Sequence, residues 1–188
     1  MNKPNNYENT QVGNDYTPVD LGGHRAVIKK VEERDTRTGK PMVVIAIDFD
    51  SRDKQPGYFM QQFTEDTRPD KKWPNQAMLY IVTEDGDGNC SRNFKSFITS
   101  YEKSNNVSVA WGENFAAQFT NKKIGVVFGE VEEEYNGEVK TRRKIRWTCE
   151  YDKASTANIP KFQELKRTAA VDQGFINVPD VADDEIPF

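Results

Sequence analysis

Four cations recur at two-residue spacing in one short segment: Lys140, Arg142, Lys144 and Arg146. Side chains alternate between the faces of a strand, so these four would share one face and form a ladder rising about 3.3 Å per residue. Such a ladder could track a phosphate backbone. Equally, Glu130, Glu132 and Glu134 on the preceding segment could neutralise it across a hairpin. The opposite face would carry Val139, Thr141, Arg143, Ile145, Trp147, Cys149 and Tyr151, which puts Trp147 in the core. Aromatic rings beside cations are the second chemistry, since rings stack nucleobases at about 1–3 kcal/mol per base. Trp73 next to Lys71 and Lys72 is the best such grouping, with Tyr58 and Tyr80 as further rings; a buried Trp73 is the alternative. Arg37 and Lys40 lie in a turn-rich run, where they could clamp a polyanion or serve as plain turn surface.

The last six residues, Asp183, Asp184, Glu185, Ile186, Pro187 and Phe188, form a third constellation. Three acids run into an apolar residue, a proline and a terminal ring. This suits a docking plug, with Phe188 for a pocket and the acids for a basic rim. An ordinary solvated acidic tail is the alternative.

Other chemistries lack their residues. His24 is the sole histidine, and Cys90 and Cys149 are too few for a zinc site or a disulfide framework. Asp85-Gly86-Asp87-Gly88-Asn89 begins like a calcium loop, but the sixth position is Cys90 and the twelfth Ser96. Asp48 and Asp50 would make half of a magnesium site without the rest. No Walker loop is present. We therefore expect no cofactor, no metal and no enzymatic activity.

The elements that must position these residues are legible from punctuation and period. The chain has 188 residues, 30% of them charged, and a net charge of −4. The four acids from Asp180 onward equal that charge, so the remainder is neutral overall. No segment is apolar enough to span a membrane and no signal segment opens the chain, so a soluble, cytoplasmic protein is expected. Strands are predicted at 24–34, 42–49, 123–131 and 139–151, with a third strand region over 58–83 that is either a strand pair, 58–63 and 78–83, or one strand with an excursion. Phe94, Phe97, Ile98 and Tyr101 share one helical face, with Ser91 as N-cap and Asn105-Asn106 as stop. Asn114–Phe119 suits a helical turn and Asn136-Gly137 a hairpin. Phe162–Ala170 has weak helical character, and beyond Gly174 no apolar period remains. This order predicts a mainly β (α+β) fold: an OB-fold-type five-stranded barrel with a helix between the third and fourth strands. The expected division is a mobile arm over 1–19, the domain over 20–160 and a flexible tail over 161–188.

Several segments carry a family resemblance. Leu21-Gly22-Gly23-His24-Arg25-Ala26-Val27-Ile28, Phe94-Lys95-Ser96-Phe97-Ile98, Ile124-Gly125-Val126-Val127-Phe128-Gly129-Glu130 and Tyr135-Asn136-Gly137-Glu138-Val139-Lys140-Thr141-Arg142 resemble the opening strand, helix, fourth strand and hairpin of a phage family. That family occurs in replication and recombination gene clusters and is regarded as single-stranded-DNA-binding-like. The final six residues resemble the acidic tip of bacterial single-stranded-DNA-binding proteins, with Glu185 where Asp is usual. The resemblance implies sequence-tolerant binding of single-stranded DNA in phage replication or recombination, within the host cytoplasm. It also implies recruitment of replication or recombination proteins by the tip. On that reading Arg37, Lys40, Lys71, Lys72, Lys140, Arg142, Lys144 and Arg146 hold phosphates, while Tyr58, Trp73 and Tyr80 stack bases. The rival is an interaction protein that docks on replication proteins without touching DNA. Oligomeric state, monomer or dimer, stays open.

Overall fold

Apolar residues at alternate positions from Gly22 and a β-branched run from Met42 form two long antiparallel strands, β1 (Gly22–Asp35) and β2 (Pro41–Phe49). The computed structural model describes residues 1–5, 7–9 and 17–165. After β2 come α1 (Tyr58–Glu65), β3 (Met78–Val82), α2 (Arg92–Asn105), β4 (Lys123–Tyr135) and β5 (Glu138–Cys149). The strands make one antiparallel sheet in the order β3-β2-β1-β4-β5. Its core joins β1, β2 and β4 to α2 through Ile28, Ile45, Ile47, Phe97, Tyr101, Phe119 and Phe128.

The expected barrel does not close. β3 and β5 are the two edges of an open sheet. β3 is only five residues long, and its pairs are with Met42–Ala46 of β2 along one edge, while its other edge carries no ladder to β5 among the described residues. Closure needs strands long and tilted enough to complete the ladder. Among the described residues, one hydrogen bond reaches towards the other edge, from Gln76 Nε2 to the Arg143 carbonyl (3.3 Å).

The segment expected to be a strand at 58–63 is instead helix α1. Gly57 precedes it with φ 64°, a turn that breaks the extended path. The buried Asp48 carboxylate then accepts the N–H groups of Phe59 (3.0 Å) and Met60 (3.3 Å), satisfying two donors at the start of the helix. The other elements follow their signals. Ser91 Oγ accepts the Phe94 N–H at 3.2 Å, and Asn106 ends α2 in the left-handed region at φ 52°. Asn136 and Gly137 turn the hairpin with φ of 53° and 78°. A 3-10 turn occupies Ala116–Phe119.

After β5 a 3-10 turn, Tyr151–Thr156, lies against the sheet at two glycines. A Cβ at Gly23 would come within 1.8 Å of the Ala154 carbonyl oxygen, and one at Gly125 within 2.7 Å of the Glu150 carbonyl oxygen. The chain then runs extended beside β4, where Gln163 bridges Val131 in parallel. The Glu132 N–H donates to the Gln163 carbonyl (2.9 Å), and the Gln163 N–H to the Glu130 carbonyl (3.1 Å). Residues 162–165 are thus extended where a helix was expected. No helix among the described residues is long and apolar enough to cross a membrane.

Candidate binding surfaces

The hairpin cations fall where the alternation placed them, up to Lys144. Lys140, Arg142 and Lys144 sit opposite Glu133, Val131 and Gly129. A bulge then inserts Arg146, because Phe128 pairs with Ile145 while Val127 pairs with Trp147. One extra residue reverses every later side chain. Trp147 therefore stands 43% exposed on the cation face instead of in the core. Arg146 leaves the ladder. Its stem lies over Gly129, whose added Cβ would meet Arg146 Cγ at 2.9 Å, and its Nη1 is buried without a hydrogen-bond partner.

The remaining cations are matched by carboxylates. Glu133 takes both Lys144 and Arg142, the latter at 3.9 Å. Glu138 takes Lys140 at 2.7 Å, and Glu130 takes Arg143 at 3.3 Å. The neutralising acids are therefore Glu130, Glu133 and Glu138, not the expected 130, 132, 134 series. Glu132 is turned to the C-terminal segment: its Oε2 accepts the Leu165 N–H at 3.0 Å.

The stacking residues are also placed differently. Trp73 is 5% exposed, and its indole N–H donates to the Ile47 carbonyl (3.1 Å), just past the last β2–β3 pair. Its ring supports the core and offers no face to a base. Tyr58 is half-buried and donates its hydroxyl proton to the Thr17 carbonyl (2.9 Å). Tyr80 is half-buried on β3 and packs against the core. Lys71 lies over the Phe63 ring at 4.8 Å, and Lys72 is half-buried beside Trp73. Arg37 and Lys40 are exposed on the β1–β2 turn, which the Thr36 hydroxyl fastens by accepting the Lys40 N–H at 2.9 Å. With an open sheet and a salt-paired hairpin, these residues do not form the exposed basic face expected for single-stranded DNA, and that expectation does not hold. The residues 183–188 lie outside the described residues.

A surface that the sequence reading did not single out lies beside α2. An open groove of about 960 Å³ runs between the first turns of α2, the loop after β3 and the segment around Trp111. Phe94, Ile98 and Phe115 supply its apolar wall. Trp111 is 67% exposed, yet it is held: its ring stacks on Phe115 at 5.4 Å and 14° and meets Phe94 edge-on at 6.2 Å. Glu33, Glu84 and Glu113 line the groove together with one cation, Lys95. Helical periodicity marks Phe94 and Ile98 as core; it carries no signal that Trp111 would fold back towards them.

A second cluster surrounds Tyr151. Its ring lies within 5.6 Å of Arg25, 5.2 Å of Arg52 and 5.4 Å of Lys123, and its hydroxyl donates to Asp50 (2.7 Å). Burial pushes the Asp50 carboxyl up, but hydrogen bonds from Tyr151 and Arg52 with the Arg52 charge hold it below the ordinary carboxylate range. Nearby, the fully buried His24 meets Asp53 Oδ1 with Nδ1 (2.9 Å) and the Asp20 carbonyl with Nε2 (3.0 Å), and stacks on Phe49 at 4.1 Å.

A scan against protein-family models and a search of curated proteins return no match for this chain.

Proposed function

We propose that the chain is a non-catalytic protein-interaction factor that docks on proteins of DNA replication or recombination. The observation that carries this reading is the apolar groove with Trp111 held open at its rim. Exposed aromatic anchors over an apolar wall are the usual energetic centres of protein contacts. Three carboxylates against one ammonium favour a basic, apolar segment of the partner. The acidic tip is a second contact in this reading, with Phe188 entering a pocket on the partner. The partner class rests on the resemblance of the tip and of the β4–β5 segments to proteins of phage and bacterial DNA metabolism.

Purified replicative helicase, primase, polymerase and recombinase, each immobilised for biolayer interferometry, test this directly. The full chain should bind one of them, and Trp111→Ala should weaken binding by about tenfold or more. A chain ending at Ala182 separates the tip from the groove. Binding that survives Trp111→Ala but vanishes on truncation would overturn the groove as the docking site; no binding to any of the four would overturn the reading.

A further inference from the structure

The Tyr151 cluster is built from three separate elements. Register puts Arg25 opposite Gly125 and Lys123 opposite Val27, so both cations project from one face of the β1–β4 pair. Arg52 arrives from the turn after β2, and Tyr151 from the turn that Gly23 and Gly125 admit against the sheet. The ring is fixed at both ends: the Tyr151 N–H donates to Ser104 Oγ (2.9 Å) and its hydroxyl to Asp50 (2.7 Å). It is 3% exposed, a firm floor beneath the charges.

Three cations around one ring repel one another, and Asp50 balances only one of them, Arg52 at 3.4 Å. Asp53 and Glu150 are engaged elsewhere. Asp53 accepts from His24 and from the Arg25 backbone N–H (2.7 Å), and Glu150 is paired with Lys103 and Lys153. Attraction between each cation and the ring offsets part of the repulsion. It provides no acceptor, however, and Arg25 Nε is buried with no hydrogen-bond partner. A buried guanidinium N–H normally finds an acceptor.

We propose that Arg25, Lys123 and Arg52 form a binding site for one small phosphate-type oxyanion, seated beside the Tyr151 ring. A guanidinium fork and an ammonium on the same side suit a compact anion with several oxygens. The site takes a single anion and does not begin a longer track, because Lys140, Arg142 and Lys144 on the same face of the sheet are paired with Glu138 and Glu133. The anion can be a free ion or the end of a small ester.

Arginine Nε–Hε resonances of the full chain report on the site directly. Inorganic phosphate and glycerol phosphate would be titrated separately, with sodium chloride at matched ionic strength as control. The expected result is a saturable shift of Arg25 Nε–Hε with phosphate and none with chloride. Lys123→Gln, at an exposed position, should weaken that affinity about tenfold, as for a lost hydrogen bond to a charged group. Arg68→Gln, remote and paired with Asp66, should leave it unchanged. A shift with both phosphates assigns the site to phosphate esters as well as the free ion; a shift with inorganic phosphate alone assigns it to the free ion. Equal shifts with chloride, no shift at Arg25, or undiminished affinity in Lys123→Gln would overturn the proposal.

Discussion

Asp53 shows how one side chain can fasten several parts of the chain. Burial raises its carboxyl pKa, but hydrogen bonds from His24 and from the Gln55 and Arg25 backbone N–H groups, with the His24 charge, bring it below the ordinary value. A carboxyl whose folded value lies below its unfolded one adds stability above the unfolded pKa, about 4. That contribution is lost as pH falls through the lower folded value. Asp53→Asn should therefore cost roughly 1–3 kcal/mol near neutral pH, the range for a buried group whose charged partner is removed. It should also flatten the acid limb of stability below about pH 4. Urea melts of both proteins at several pH values check this; an unchanged acid limb would show that Asp53 has the same affinity for protons folded and unfolded.

At the scale of elements, the β4–β5 hairpin shows what the sequence could and could not convey. Asn136-Gly137, the alternation through Lys144 and the caps of α2 are all local signals, and all appear as expected. The bulge at Arg146 is not local: it depends on the meeting of Val127 and Phe128 with Ile145 and Trp147. Strict alternation therefore put Trp147 on the wrong face. Tyr58–Phe63 departs from the expected strand for a similar reason, since its aromatic residues suit a strand while the group that starts it as a helix, Asp48, lies on β2. The cations were found, but their partners depended on cross-strand register. Glu133 now serves Arg142 and Lys144 together at a part-exposed position. Glu133→Gln should cost no more than about 1 kcal/mol, and the difference should shrink in 1 M salt. Thermal melts at low and high salt measure it; a larger, salt-independent loss would mean that Glu133 acts through packing.

For the whole molecule, openness divides the sheet into protected and exposed parts. β1, β2 and the first half of β4 have neighbours on both sides and bury Ile28, Ile45, Ile47 and Val126 completely or nearly so. The start of β5, Glu138–Arg142, is exposed and, among the described residues, pairs only with β4. Amide exchange should be slowest in β1 and β2 and fastest, among the strands, over Glu138–Arg142. Uniform protection across β5 would show that its outer edge is covered in solution. The groove was illegible at every smaller scale, because it exists only where the loop after β3, the start of α2 and Trp111 meet.

The segment at Gln163 has a mechanical consequence. Beyond the reach of β1, it hydrogen-bonds both Glu130 and Glu132, so the chain at Gln163 lies alongside β4 and not along the outer edge of β5. Tension applied along 163–165 is therefore borne by three hydrogen bonds anchored on an interior strand, the Leu165 N–H bond to Glu132 and the two at Gln163. A tether moored there can take up load without peeling the sheet from its rim.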